Sequence, residues 1–518
     1  MLINTFEKQA ISEVQELRNK FVSYQAENLR KQRFYDGKFR IRDLGISLPP
    51  ALRSIESVVG WPGTVVDVLE ERLDFEGWSE SFLDDVFRQN DLDVEAPLVH
   101  SDALIYGVSY ATVTSGAPGD PDVVVDMVPP TQMVGVRDYR RRNLASACQF
   151  IDSTDDGVHS FDRAVLFRPD ETVWLVNDNG WQVERVDDHH LGRVQAVQFT
   201  NRMRASKLGG RSEITPAVVS YTESALRTLV GAEVAREFYA VPQRWMMGAP
   251  ESFFINEDGS PRKAWDAMAG KILVAERDPD TGDVPSVGSF PAHAMSPFFE
   301  QVRHYSQLLA AETSIPPSYL GFVTDNPASA DAIRMAENRL VKRAERRQSA
   351  FGKSWTELGR LALMVRDGRS FDELSQAELD MRPLWRDAAT PTKAASTDQA
   401  LKLHSMGVPF GDYMMKMLGL SAVEREMLRR DRAVDSSAAI SRLANSSGIY
   451  DQAPTVDRGA PDELTVGDDS KALRDKADAM GVLIRSGVKP DSAARQVGLS
   501  GLDFWDGRPI TLRYEDEE

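Results

Sequence analysis

Residues Ile315 to Asp367 read IPPSYLGFVTDNPASADAIRMAENRLVKRAERRQSAFGKSWTELGRLALMVRD, a loop that feeds a long helix. Pro316 and Pro317 stop whatever helix precedes them, and Gly321 with Thr324-Asp325-Asn326-Pro327 supplies turn chemistry, Asn326 and Pro327 suiting the N-cap and first helical positions. No proline follows until Pro383. Within that interval Ile333, Ala336, Leu340, Ala344, Phe351, Trp355, Leu358, Ala362 and Val365 recur mostly at three- and four-residue steps, the period of one buried helical face. The other face is basic: Arg334, Arg339, Lys342, Arg343, Arg346, Arg347 and Lys353 outweigh Glu337 and Glu345. Such a run is most often a solvated face. The sharper expectation is that it meets acidic groups on a neighbouring copy of the chain, or a polyanion.

The surrounding composition is that of a folded protein with several cores. A chain of 518 residues should build about one core per 100 to 200 residues. The single cysteine, Cys148, allows no intrachain disulfide, and the N-terminal MLINTFEKQAISEVQELRNK is charged where a signal peptide needs an apolar run. No apolar stretch approaches the roughly 20 residues of a membrane helix, so cytosol-like conditions and no membrane partner are expected. The net charge of −18 argues against tight nucleic-acid binding over most of the surface. It leaves room for a protein past which DNA slides.

Taken in order, the chain opens with an amphipathic helix from about Thr5 to Gln32, carrying Val14, Leu17, Phe21 and Tyr24 on one side. YDGK (Tyr35 to Lys38) is a turn, Trp61-Pro62 precedes a second helix, and a third is expected from Trp78 to Asn90. The LVHSDALIYG segment is read as the start of short β-rich runs. Those runs continue as Tyr110 to Thr114, Val123 to Val128, Met133 to Val136, Ala147 to Ile151, Arg163 to Phe167, Thr172 to Val176, Trp181 to Val186 and Val194 to Phe199. Turn clusters such as Asn177-Asp178-Asn179-Gly180 separate them, which predicts a mostly antiparallel sheet domain.

Thr215-Pro216 opens a helix to about Ala240, and a small insert with turns at Glu257-Asp258-Gly259 and Asp280-Thr281-Gly282 follows. A return helix, Ser296 to Ser314, leads back to the opening stretch. Two helices bracketing an insert predict a stalk with a tip. Trp245, Phe253 and Phe254 are large apolar groups in an insert too small to bury them all, so some are expected at an adjacent subunit or a docking partner. Leu379 to Arg386 is expected to be extended, and Thr392 to Asp431 helical. Residues Val434 to Glu463 read as a linker. Asp398 to Ser421 and Lys476 to Ser500 share a helix, Gly-Val, helix, Gly-Leu-Ser order, predicting two copies of one helical hairpin whose sparse basic residues suit packing better than DNA binding.

Catalytic constellations are missing from this reading. Gly352-Lys353-Ser354 sits inside a helix with Arg347 where a phosphate loop needs its first glycine. Asp187-Asp188-His189-His190 has no third ligand at motif spacing and reads as an exposed turn. Asp278, Asp280 and Asp283 lack the glycine and glutamate of a calcium loop. Neither enzyme, cofactor nor metal site is expected; an assembly or binding protein is.

The order of YDGK and LPPALRSIESVVGWPGTVVDVLEERL, then NPASADAIRMAENRLVKRAERRQSAFGKSW, then the GV/GLS C-terminus resembles the portal proteins of tailed bacteriophages, above all those of long-tailed phages of actinobacteria. The resemblance implies an α+β subunit with an antiparallel-sheet wing at 1–211 plus a return at 368–390, stem helices at 212–240 and 296–314, and a small α/β clip at 241–295. It further implies a tunnel loop and long helix at 315–367 and a helical crown at 391–518. Gly321, Phe322, Val323, Thr324, Asp325 and Asn326 would line the channel. The implied partners are about eleven further copies in a ring, the double-stranded DNA passing through it, the terminase large subunit, a head-tail adaptor, and the major capsid and scaffolding proteins. The implied place is a capsid vertex of the virion, after assembly in the host cytoplasm. The competing reading is a non-portal scaffold or adhesion-type protein of a virion built on coiled long helices, which the absence of sustained heptads disfavours. A nuclease would need a metal-binding cluster that the sequence does not offer.

Overall fold

The computed structural model describes residues 2–40, 57–151, 161–206, 208–239, 244–248, 286–289, 294–321, 330–389 and most of 393–432, with isolated positions between 259 and 284. Residues 2–432 belong to one compact unit. The tunnel-loop residues after Gly321, the second helical hairpin and the 434–463 linker lie outside the described residues.

Helix α1 (Leu2–Tyr35) is long because the first 48 residues of the chain carry no proline, and it buries Ala10, Val14, Leu17 and Phe21 while Tyr24 remains 53% exposed. It ends at the expected YDGK turn, where Gly37 takes φ 63°. Helix α2 (Trp61–Glu70) follows, with Pro62 in its first turn. Two expectations then fail. Trp78 ends a strand, β1 (Phe75–Trp78), and the following helix α3 covers only Asp84–Gln89. The LVHSDALIYG segment belongs to helix α4 (Leu92–Tyr106), not to a strand. Val99, His100, Ala103, Leu104, Ile105 and Tyr106 are all buried there, while apolar Val94 and Leu98 are 63% and 53% exposed, so the helix has no clear polar face and its period is hidden in the sequence. Gly107, at φ 100°, closes α4 and allows the chain to turn straight into a strand.

The β-rich half forms two antiparallel sheets. Strands β2 (Val108–Ser115), β3 (Val123–Val128) and β9 (Ala196–Thr200) make one, in the order β3-β2-β9. Strands β4 (Met133–Arg137), β5 (Leu144–Ile151), β6 (Arg163–Phe167), β7 (Glu171–Asn177) and β8 (Trp181–Asp188) make the other, in sequence order. The β7–β8 turn is the expected Asn-Gly hairpin, with Asn179 at φ 57° and Gly180 at φ 140°. Helix α1 lays Val14 and Phe21 on this second sheet, where Phe21 meets Phe150 at 4.8 Å between ring centroids.

Helix α5 (Pro216–Tyr239) and helix α6 (Ser296–Thr313) form the stalk, and the hairpin β10 (Arg244–Met247) with β11 (Ser286–Ser289) follows α5 and precedes α6. A Cβ on Gly231, late in α5, would lie 3.8 Å from the Phe298 ring early in α6, as antiparallel helices require. Helix α7 (Ala330–Asp367) is the long helix of the opening stretch. The expected extended segment at Leu379 to Arg386 shortens to strand β12 (Pro383–Trp385), which pairs with β1, because Ser375 caps a short helix α8 (Gln376–Asp380) with a capping box. Helix α9 (Lys393–Ser405) opens the expected helical region, a turn from Met406 interrupts it, and residues 427–432 are helical again.

The second half of α7 is the spine of the main core. Phe351, Trp355, Leu358, Leu361, Ala362 and Leu363 are at most 1% exposed. Trp355 stacks on Phe75 at 4.0 Å and 10°. Its indole N–H donates to Nε2 of His100 at 2.9 Å, and the indole of Trp78 donates to the Trp355 carbonyl at 2.9 Å. Gly359 makes this approach possible, since a Cβ there would lie 2.7 Å from Nε1 of Trp78. Gly352 does the same for β12, with Pro383 at 3.0 Å. The Gly-Lys-Ser triplet is therefore a packing feature, and the Ser354 hydroxyl donates to the Gln198 carbonyl on β9 at 2.9 Å.

Candidate functional site: a buried joint between stalk, sheet and long helix

Where the chain leaves β9 and enters α5, two backbone segments run against each other. Asn201 N–H donates to the Gly107 carbonyl, Arg211 N–H to the Asn201 carbonyl, and Glu213 N–H to the Leu104 carbonyl. Side chains would obstruct this: a Cβ on Gly210 would sit 2.1 Å from the Gly107 oxygen, and Gly210 also has φ 74°. The result places the side chain of Glu213, one turn before α5, inside the protein at 1% exposure.

Three guanidinium groups converge on that carboxylate. Arg347 donates to Oε1 at 2.5 Å, Arg343 to Oε2 at 2.6 Å and Arg202 to Oε2 at 3.2 Å, while the Asn201 side-chain amide donates to Oε1 at 3.0 Å. Arg343 and Arg347 stand four residues apart on α7 and so share a face. Burial alone would push the Glu213 carboxyl up. The combined attraction of Arg347, Arg343 and Arg202 outweighs it and holds the group below the usual carboxylate range. Burial pushes Arg343 down, against the pull of Glu213. One carboxylate thus pins the long helix, the end of the first sheet and the root of the stalk to a common point.

A second polar group lies deeper, where His100 on α4 stacks on Phe351 at 5.2 Å and 8°. Burial drives this imidazole down to about 3, with the Leu73 backbone acting in the opposite sense. His100 is neutral, and its Nε2 serves as an acceptor for Trp355.

The stalk tip is built differently. Trp245 pairs with Gly288 across β10 and β11, and a Cβ on Gly288 would lie 2.4 Å from the indole, so the ring lies flat over the glycine. Met247, Val284 and Phe299 are 64%, 66% and 60% exposed on and beside the tip, a concentration of apolar surface on a small element.

Of the residues singled out from sequence, Arg343 and Arg347 require a correction. Expected at a neighbouring copy, they turn inward onto Glu213 of the same chain, because a helix that buries both flanks of its apolar stripe carries its adjacent arginines inward too. Arg339, Lys342 and Arg346 are exposed, with Lys342 bridging Glu345 at 2.5 Å. Arg334 lies on the helix, its side chain outside the described residues. Gly321 closes a short 3-10 turn at φ 86°. Phe322 to Asn326, and Phe253 and Phe254, lie outside the described residues. Asp187 and Asp188 end β8, and the His189 and His190 amides that follow both donate to the Asp170 carbonyl. Among the described residues no group of His, Cys, Asp and Glu gathers as a metal site, and no helix is long and apolar enough to cross a membrane. Glu213, Asn201 and Arg202 were missed by sequence reading. The i, i+4 arginine pair signals that an acid is required, but nothing in the sequence says which one.

The family model described as "Phage portal protein, SPP1 Gp6-like" matches residues 65–430. The chain is 34% identical over 450 residues to the portal protein of Mycobacterium phage D29, covering 83% of this chain and 90% of that one. It is 33% identical over 441 residues to the portal protein of Mycobacterium phage L5, covering 82% and 88%. Among solved structures, a chain from the neck of a native gene transfer agent particle computed with C12 symmetry aligns with TM-score 0.41 at 13% identity, covering 69% of this chain and 89% of that one. A chain from the virion of the native particle gives 0.44 at 14%, covering 76% and 93%. These structural likenesses are loose, and no conclusion rests on them.

Proposed function

Because the chain belongs to the phage portal protein family of SPP1 Gp6 type, we propose that it assembles into a ring of about twelve copies at one capsid vertex of the virion and forms the channel through which DNA is packaged and ejected. The observation that carries this reading is the two-helix stalk, α5 and α6, tipped by the β10–β11 hairpin and rooted at Glu213 beside the long helix. In the family's terms the sheets and α1 to α4 form the wing at 1–211 with the return at 368–390. The stalk is the stem, 241–295 the clip, 315–367 the tunnel loop and long helix, and 391–518 the crown.

The division of labour follows from the chemistry of these parts. The clip offers Trp245 and exposed Met247 and Val284, with Phe253 and Phe254 nearby in sequence, as an apolar surface for the terminase large subunit and then for a head-tail adaptor. The loop from Gly321 to Asn326 contains one acidic residue and no Lys or Arg, so a ring of copies would repel phosphates mildly and let the duplex move without gripping it. The exposed Arg339, Lys342 and Arg346 remain available to a neighbouring copy or to the capsid and scaffolding proteins. The protein performs no chemistry of its own; the terminase supplies the work. Electron microscopy of the purified protein tests the reading, since rings with an axial hole are expected, and filaments or bundled rods would sink it.

A further inference from the structure

The loop between β4 and β5 reads RDYRRRN, Arg137 to Asn143, in a chain whose net charge is −18. Its conformation is fixed: Asp138 Oδ1 accepts from the amides of Arg140 at 2.8 Å and Arg141 at 3.1 Å, and the Arg142 amide donates back to the Asp138 carbonyl at 2.8 Å. Arg142 holds φ 62°, a left-handed conformation that glycine or asparagine adopts with less strain. The side chains of Arg140, Arg141 and Arg142 are exposed, as is Tyr139 at 76%.

The long helix adds a further cation. Lys353 donates to the Arg142 carbonyl at 3.2 Å and is held below its ordinary range by partial burial, then by Arg137 and Arg142. The neighbouring acid, Glu357, is already engaged by Arg193 at 3.6 Å and Arg360 at 3.8 Å. Among the described residues Arg137, Arg140, Arg141, Arg142 and Lys353 form no ion pair. Four arginines and a lysine gather there, with Asp138 of the loop and Glu357 of the long helix as the acids beside them.

The complement exists on the same chain. At the end of α2, Asp67, Glu70 and Glu71 crowd together, and Glu70 is pushed up to about 7 by burial, then by Asp74, Asp67 and Glu71. Asp74 is engaged by Arg386, but Glu70 and Glu71 have no cationic partner among the described residues. The two patches lie on different sides of α7. Gln348 faces α2, donating to the Arg72 and Arg386 carbonyls, whereas Lys353 faces the arginine loop. Five residues separate them, about 140° around a helix axis. Unlike patches on different sides of one subunit are what a head-to-tail interface uses, and a head-to-tail interface that closes makes a ring.

We propose that the Arg137–Arg142 loop with Lys353 is a docking surface for a second copy of this chain, which presents its acidic α2 end to it. This rests on the ring reading above and specifies the contact. The partner is a copy of the chain, because the matching acids are present on it and the approach of two chains of net charge −18 otherwise needs local attraction.

The test uses the full chain and two single variants, Arg141→Glu and Glu71→Lys, both at exposed positions. Ring populations are read by native mass spectrometry, and folding by circular dichroism. Wild-type chain should form rings; if it forms none, the ring reading itself fails. Each variant alone should lose about tenfold or more of its rings at moderate salt while remaining folded. Mixing the two should restore rings, because in an alternating ring one interface is the swapped pair and the next is wild type. Wild-type ring levels in both variants, or no recovery on mixing, overturns the proposal. So does an Arg141→Glu protein that forms normal rings but loses retention of double-stranded DNA, which would assign the loop to phosphate.

Discussion

Replacing Glu213 by glutamine preserves the size of the side chain and one oxygen acceptor but removes the charge that three arginines share. Arg347 is 8% exposed and its Nε already lacks a partner, so it can neither reach water nor find another acid. Leaving one member of a buried ion pair uncompensated costs about 3–5 kcal/mol, against roughly 0–1 kcal/mol for an exposed pair. Arg202 is less affected, because its side chain is 31% exposed and recovers hydration. The expected result for Glu213→Gln is thus a loss near the lower end, about 3 kcal/mol, since the amide oxygen still accepts a hydrogen bond. Urea unfolding followed by tryptophan fluorescence measures it, Trp355 being in the core served by the same helix. The loss should grow for Glu213→Ala. It should shrink when Glu213→Leu is combined with Arg343→Met and Arg347→Met, because apolar replacements of a buried ion network often restore stability. The acid limb follows in sign: a carboxyl held below its unfolded value contributes stability above about pH 4.3 and loses it as pH falls toward the folded value. An unfolding free energy of Glu213→Gln within about 1 kcal/mol of wild type, on the ~1.4 kcal/mol-per-decade scale of equilibria, would show that the joint is not structural.

Three further outcomes are expected. His100 is neutral in the fold at about 3 but takes up a proton near pH 6.5 when unfolded, so it withdraws stability as pH falls from 6.5 toward 3; the slope of stability against pH in that window should flatten in His100→Asn. Gly359→Ala should cost about 1–3 kcal/mol by overpacking Trp78, whereas alanine at Gly60, where an added Cβ would meet nothing within 4 Å, should change thermal stability far less, and equal melting temperatures for the two would refute the packing role of Gly359. Asp325→Lys should slow DNA packaging at low salt and recover in part at higher salt with ring assembly unchanged, because it adds a phosphate contact in every copy; wild-type packaging rates in low salt would place this loop away from the DNA.

Local pattern decided much of this protein without help from the tertiary structure. The alternation and turn residues between Tyr110 and Phe199 place the strands nearly where they form, because a strand with one buried face writes its period into the sequence. The proline boundaries around α5, α6 and α7 did the same for the stalk and the long helix, since proline cannot continue a helix. What sequence could not decide is anything that depends on which surfaces meet. Helix α4 puts Val94 and Leu98 on its exposed side, so the polar side that would have revealed it is missing, and LVHSDALIY reads equally well as strand. Arg343 and Arg347 look like part of a solvated basic stripe until a distant acid, 130 and 134 residues earlier in the chain, is brought between them. Charge in a sequence fixes only that a partner is needed; tertiary contact, by removing water from some of those charges and leaving others wet, decides which arginines hold the subunit together and which face outward.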